Sequence, residues 1–386
     1  MTPDEVRALL ADIAAGAAAR ERRDESPFDQ VAAVAKAGLG ALSVPTDEGG
    51  GGASVRELIA FVVDLAEADP IVAHVLRTHY SQVLGFLQNS DAAVRRRWLD
   101  EVLDGKVFGN AISEAGPLTA GSHEFATQLR EADGRLVLSG TKYYSTGTLY
   151  ADWIAVAAGM PGDRVATVLV PADRAGVSVV DDWDGMGQSR TGTGTTSFDD
   201  VAVEPGEILS VRPRTEPRPA GTNAFLQLYL QALVAGILRS VATDAAEVVR
   251  SRGRTFEHAP APRAVDDPIL QTTVGELAAT AWVAEAAVLA AADAIDAVRA
   301  DPTDENRRAA TLAHTSVKVH LDRVAPAAAT ALFDVGGASA SSRARNLDRH
   351  WRNIRTITLH NPASYKAAAI GRHLVTGDPL PTNAYF

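Results

Sequence analysis

Phe125-Ala126-Thr127-Gln128-Leu129-Arg130-Glu131-Ala132-Asp133-Gly134-Arg135-Leu136-Val137-Leu138-Ser139-Gly140-Thr141-Lys142-Tyr143-Tyr144-Ser145-Thr146 is the stretch on which the fold turns. Short alternating runs flank Asp133-Gly134, the dipeptide that suits a tight primed turn, so the segment reads as a β-hairpin. Further strands are expected at Trp153 to Ala157, Val165 to Val170, Val177 to Val180 and Thr195 to Val203. On either side the period changes. Upstream, Val6, Leu9, Leu10 and Ile13, then Val94, Trp98, Val102 and Leu103, recur at helical spacing. Thr2, Pro3 and Glu5 read as N-cap, first turn and capping box, and Gly49-Gly50-Gly51-Gly52 as a turn between helices. Downstream of a polar, Pro-rich stretch (Val211 to Pro219), Leu226 to Arg250 and Val274 to Ala300 read as long Ala-rich helices. The chain is therefore α+β and multidomain: helical over 1–105, β over 106–215, a helical bundle over 216–386. Segregated elements argue against a βαβ dinucleotide fold, whose elements would alternate.

Composition narrows the function. A net charge of −11 over 386 residues makes a nucleic-acid partner unexpected, since phosphate binding needs a basic surface. The absence of cysteine removes disulfides, thiolate catalysis and iron–sulfur clusters, and makes a cytoplasmic location the expectation. No membrane association is expected, because no run of apolar residues reaches the ~18 that span a bilayer. No phosphate-binding G-x-x-x-x-G-K-[ST] and no H-E-x-x-H occur, and His74/His79 and His314/His320 lack the i, i+4 spacing of a helical metal site, so no metal is expected. Gly185-Met186-Gly187 precedes a strand, which favours a structural turn over a dinucleotide site.

Three Gly/Ser/Thr-rich segments end the expected strands: Gly109 to Glu114, Lys142 to Gly147 and Gly187 to Thr191. Hydroxyls, an amide and backbone N–H groups of this kind suit the polar edge of a flat heteroaromatic cofactor, with Tyr144 against the ring face; loops between strands are also often only turns.

The order and wording of these segments resemble the acyl-CoA dehydrogenase superfamily. The similarity is carried by Ala41-Leu42-Ser43-Val44-Pro45 with the glycines after it, by Asn110 to Gly116, by Gly140 to Gly147 with Ala151-Asp152-Trp153, and by Phe198-Asp199-Asp200-Val201-Ala202-Val203. The resemblance implies an N-terminal helical domain, a central β-barrel domain and a C-terminal four-helix bundle that assembles a homotetramer (or homodimer). A dehydrogenase of this family needs a carboxylate to take an α-proton. Here Asn361, followed by Pro362, stands where that Glu is expected, and the alternative position falls on or near Gln231; neither amide is a base. Trp183 to Gln188 with Thr191 to Thr196, and Asn346 to Asn353 with Leu359-His360-Asn361-Pro362, are instead similar to the reduced-flavin-dependent monooxygenase branch, which includes dibenzothiophene monooxygenases and amine N-hydroxylases.

That resemblance implies reduced flavin, FAD or FMN, delivered by a separate NAD(P)H:flavin reductase, reaction with O2 to a C4a-hydroperoxyflavin, and oxygenation of a small N-, S- or aromatic-ring-containing substrate. By the same resemblance His360, Thr146, Asn110 and His79 are catalytic candidates. Ser113, Tyr144, Ser145, Thr146, Arg254, Gly336, Gly337 and Asn361 are candidate flavin contacts, Arg254 by reaching a neighbouring subunit's flavin phosphates. Arg349, Arg352 and Arg355 are open between phosphate ligands and intersubunit ion pairs. Two other readings stay open, a dehydrogenase with a relocated base and a catalytically silent flavin-binding scaffold.

Overall fold

The computed structural model describes residues 1–116, 124–216, 223–382 and 386. Helix α1 (Pro3–Arg23) starts as expected: Thr2 Oγ1 accepts from Glu5 N and the Glu5 carboxylate accepts from Thr2 N, a reciprocal capping box. The same device, Ser54 with Glu57, starts α3 (Val55–Ala68), which follows α2 (Phe28–Lys36) and the glycine turn. Asp69 caps α4 (Pro70–Val75), and the chain bends at Leu76 into α5 (Arg77–Phe86), followed by α6 (Ala92–Leu103).

The central region opens with β1 (Phe108–Ala111), then β2 (Gln128–Ala132) and β3 (Arg135–Lys142), the expected hairpin. Asp133 (φ 51°) and Gly134 (φ 74°) both take positive φ, as a type I′ turn requires. Strands β4 (Trp153–Met160), β5 (Arg164–Pro171), β6 (Val177–Val180), β7 (Thr195–Val203) and β8 (Ile208–Pro213) complete one sheet, in the order β6-β7-β3-β2-β4-β5-β8, with β1 parallel to β4. Strand β8 occupies the start of the stretch read as an irregular polar linker; 217–219 of that stretch lies outside the described residues.

The C-terminal region comprises α7 (Ala224–Arg250), α8 (Pro268–Ala300), α9 (Asp304–Gly336), α10 (Asp348–Thr358) and α11 (Ala363–Thr376). Helices α7, α8 and α9 pack on one another, and α11 packs on α9. By length and composition α7 and α8 each hold a window apolar enough to cross a membrane, but α7 is buried as the core helix. One apolar core runs through α3, α7, α8 and α9, so the N- and C-terminal helices share an interior. The sheet has its own core around Leu138, Ile154, Val168 and Val201, and Phe86, Trp98 and Phe108 join α5 and α6 to β1. The consequence for function is positional: α4, α5, the loop after β3 and the start of α7 converge.

A methyl group added at Gly134 would touch nothing within 4 Å, so only the positive φ resists substitution. Gly134→Ala is expected to cost about 1 kcal/mol in urea unfolding while leaving ligand binding untouched.

Candidate active site

The three Gly/Ser/Thr-rich segments meet. Tyr143 N donates to Ser113 O (2.8 Å), Ser145 N to Gly194 O (3.1 Å) and Gly147 N to Thr191 O (3.0 Å). The Thr146 and Thr193 hydroxyls pair at 3.0 Å, and Thr193 pairs with Thr191 at 2.6 Å. Gly147 lets this loop sit on α4: at φ 84° it has no Cβ, and one placed there would lie 2.7 Å from Val75 O. The segment after β1 is fixed by a buried ion pair. Lys142 Nζ donates to Glu114 (2.7 Å) and Ile112 O (3.2 Å), while Glu114 also accepts from Ala126 N and Thr127 N. Burial pushes the Lys142 ammonium down to about 8 against the pull of Glu114.

Two histidines come from the helices above. His79 Nε2 donates to Gly40 O (3.0 Å), and its ring lies 5.8 Å from that of Phe108 in β1, the strand that carries Asn110. His74 Nδ1 donates to the amide oxygen of Gln188 (2.8 Å). Gln188 is 1 % exposed and holds a left-handed φ of 54°, a conformation costly for a side chain with a Cβ. Its N–H donates to Asn353 Oδ1 (2.7 Å), and its carbonyl accepts from Thr191 Oγ1 and Trp183 Nε1. Tyr144, 61 % exposed and also at positive φ, meets Trp183 edge-on at 5.9 Å, forming an aromatic corner beside the hydroxyl-lined loop.

From the C-terminal side, His360 and Asn361 form the turn between α10 and α11. Asn361 Nδ2 donates to Gln227 Oε1 (2.9 Å) and to His360 Nδ1 (3.2 Å), so the His360 proton resides on Nε2 and the ring presents a donor. His360 itself is exposed to solvent, yet desolvation by the protein around its ring holds it well below the usual histidine range, reinforced by Arg77, Lys318, His74 and Lys366. Burial likewise lowers His74 and His79 to about 4.

Buried polar atoms without a partner among the described residues mark where a bound molecule fits: Ser145 Oγ, Asn110 Oδ1, His79 Nδ1, Gln188 Nε2, Asn361 Oδ1 and both amide atoms of Gln231. Such atoms are rare in folded proteins and call for a ligand or water. Hydroxyls and amides in this density match the donor and acceptor edge of a flavin. Nearby carboxylates are engaged, Glu114 by Lys142 and Asp322 by Lys318 (2.6 Å).

Other expected residues lie elsewhere. Arg254 is exposed, and Gly336-Gly337 ends α9 beside Arg252, which donates to Val335 O (3.0 Å). That end of α7 is about 35 Å from Gln227 at 1.5 Å per residue, beyond the reach of one flavin within one chain. Arg349 and Arg352 each form intrachain ion pairs: Arg349 joins Asp244 (2.6 Å), and Arg352 joins Glu21 (3.0 Å) and Asp348 (2.8 Å). Arg355 is turned to Thr358 in its own helix (3.4 Å). A separate cavity of about 590 Å³ between α1, α4, α7 and α10 is lined by such paired groups, Asp69, Asp244, Arg349 and His350 among them, and holds none of the reacting candidates. His74, Arg77 and Gln188 are the site residues that sequence reasoning passed over. The only signal for them was their place in the sequence: His74 and Arg77 lie within a few residues of His79, and Gln188 inside the Gly187 to Thr191 segment.

The buried histidines give acid lability with a definite sign. His74, His79 and His350 titrate near 4 when folded and near 6.5 when unfolded, so the unfolded chain binds more protons between those values. Their contribution is complete above pH 6.5 and declines as pH falls toward 4. Thermal unfolding should therefore show a lower Tm at pH 5 than at pH 7.5, reflecting a stability loss on the order of 1–2 kcal/mol per histidine, with His350→Gln flattening the slope.

Family models agree with this architecture. The acyl-CoA dehydrogenase N-terminal domain matches residues 1–106, the middle domain 111–201 and the C-terminal domain 228–365. A dibenzothiophene monooxygenase from Mycolicibacterium goodii is 29 % identical over 96 % of this chain and 90 % of its own. A probable FMNH2-dependent monooxygenase, SfnC of Pseudomonas putida, is 28 % identical over 98 % and 96 %. The crystal structure of FMN-bound TdsC from Paenibacillus sp. A11-2 superposes with a TM-score of 0.91 at 29 % identity, covering 99 % of each chain. With its dehydrogenase base positions held by amides and its relatives named as monooxygenases, the chain belongs to the acyl-CoA dehydrogenase family, in its flavin-dependent monooxygenase branch.

Proposed function

We propose that this chain is the oxygenase component of a two-component system. It receives reduced flavin from a separate NAD(P)H-dependent reductase and, with O2, oxygenates a small N-, S- or aromatic-ring-containing substrate. The observation that carries the reading is the set of unpartnered buried hydroxyl and amide atoms, Ser145 Oγ, Asn110 Oδ1, Asn361 Oδ1 and the Gln231 amide among them, together with a His360 ring protonated on Nε2. Bound reduced flavin would supply the two electrons that activate O2, one atom of which goes to the substrate and the other to water. The chain's own groups do the rest. Ser145, Thr146 and Ser113 would hold the polar edge of the ring, with Asn110 Oδ1 and His79 Nδ1 as further acceptors, and His360 Nε2 would donate a proton toward the reacting oxygen. FMN is favoured over FAD by the FMN of TdsC and the FMNH2 of SfnC.

The same logic supports an oligomer. Arg254 and Gly336-Gly337 are too far along the bundle to meet their own chain's flavin, so a flavin contact there belongs to a second copy. Exposed Ile269, Trp282 and Val283 on α8 offer it an apolar face.

Stopped-flow absorbance after mixing the anaerobic protein–FMNH2 complex with oxygenated buffer tests the reading. A flavin–oxygen adduct that outlives the free-flavin reaction is expected, with Thr146→Ala and His360→Ala each shortening its lifetime by about tenfold or more. Reoxidation at the free-flavin rate would contradict it.

A further inference from the structure

An unbroken row of aromatic rings runs from the start of α7 to Trp153, which opens β4. Phe225 meets Tyr229 (centroids 5.8 Å apart), Tyr229 meets Tyr80 (6.3 Å) and Tyr80 meets His79 (5.3 Å). From His79 the row continues through Phe108 (5.8 Å) and Trp98 (6.3 Å) to Trp153 (4.9 Å). His79 carries an orphan Nδ1 of the candidate site, and Phe108 lies two residues before Asn110 on β1, so the row passes alongside that site. Every ring in it is buried except Trp153, which is half-buried.

What changes along the row is the fate of a proton. Tyr229 and Tyr80 donate to backbone carbonyls, Ala73 O (2.7 Å) and Leu39 O (3.1 Å), and neither carbonyl is a base. The Trp98 Nε1–H is fully buried and has no partner among the described residues. A core built only for packing would use an apolar ring there and avoid the cost of an unpaired donor. Trp153 Nε1 instead donates to the Glu101 carboxylate at 3.0 Å. An indole that loses an electron becomes a strong acid at Nε1. At Trp98 that proton has no acceptor, and the Arg97 guanidinium, 4.6 Å from the ring centre, opposes positive charge on it. At Trp153 the proton passes to Glu101 and the vacancy is held. Oxidising equivalents therefore run downhill from Trp98 to Trp153.

We propose that this row is an electron relay that draws one-electron oxidising equivalents away from the flavin–oxygen site when oxygen is activated and no substrate takes it. An oxygen-centred radical formed there gains one electron and one proton and becomes a closed-shell hydroxyl compound. Trp98 supplies the electron and regains one from Trp153, while His79 and Phe108 bridge without being oxidised. Trp153 loses one electron and its Nε1 proton, which Glu101 takes up, and a soluble thiol restores the indole by giving one hydrogen atom. The relay rests on the oxygenase reading for the origin of the oxidant; its electron steps are observable without turnover.

Laser-flash absorbance of the protein with oxidised FMN bound tests it, the excited flavin serving as the one-electron oxidant. Trp183→Phe is the background, because Trp183 stands beside the hydroxyl-lined loop and would donate directly. A neutral tryptophanyl radical, recognised by its own absorbance band, is expected to form and persist. Trp153→Phe should replace it with a tryptophanyl cation whose lifetime is shorter by about tenfold or more, and Glu101→Gln should do the same by removing the proton acceptor. Trp98→Phe should abolish both radicals; the other two variants lie outside the fully buried core and keep the test open if this one fails to fold. A neutral radical that is unchanged in Trp153→Phe and Glu101→Gln overturns the inference. FMN binding is measured separately by equilibrium dialysis. Bound flavin with no tryptophanyl radical overturns the relay alone, whereas absence of FMN binding overturns the flavin-site reading and the relay with it.

Discussion

Gln188 is where the molecule is joined. One amide side chain, in a backbone conformation it would not choose alone, bonds His74 of the N-terminal helices, while its N–H meets Asn353 of α10 and its carbonyl gathers Thr191 and Trp183 from the central region. The bonds to His74, Asn353 and Thr191 are buried, so losing one strands a polar group in a low-dielectric interior. The hydroxyl-lined loop is positioned through this knot: Thr191 passes the constraint to Thr193 and Thr193 to Thr146. Because the N- and C-terminal helices already share one apolar core, the sheet is the part that needs fixing relative to them, and Gln188 is one of the bonds that does so.

The chemistry follows from which groups are neutral. Burial strips His74 and His79 of charge; the contact with Asn361 makes the solvent-exposed His360 a donor, while the bond to Gly40 O makes His79 an acceptor. A carboxylate in the position of Asn361 or Gln231 would turn the same pocket toward proton abstraction. With amides in both positions, neither side chain can act as that base. The fixed charges are kept behind this layer: Lys142 with Glu114 supports the loop after β1, and Lys318 with Asp322 supports the turn at His360.

Local signals were legible in the sequence. The Asp133-Gly134 turn, the Thr2/Glu5 cap and the alternating runs of β4 to β7 are set by neighbours within a few residues, and the structure has them where the pattern put them. Strand β1 escaped because Phe-Gly-Asn-Ala has little intrinsic strand preference and is held by parallel pairing with β4. Strand β8 was hidden under Pro and Arg, and it pairs at the sheet edge. The site was half visible. Motif wording led to Asn110, Thr146 and His360, whereas His74, Arg77 and Gln188 gain meaning only from contacts 114 to 165 positions apart in sequence. Arg349 and Arg352 look alike in sequence whether they bind phosphate or Asp244 and Glu21, and only packing decides.

The claim that everything else rests on is that flavin occupies the junction around Gln188 and the 143–147 loop. Hydrogen-exchange mass spectrometry with and without FMN tests this directly. Slowed exchange should concentrate in 109–114, 143–148 and 187–194, with a second patch near 252–254 and 336–337 if a neighbouring copy contributes. Protection confined to 10–21, 239–244 and 349–353, around the separate cavity, would place the cofactor elsewhere and contradict the account.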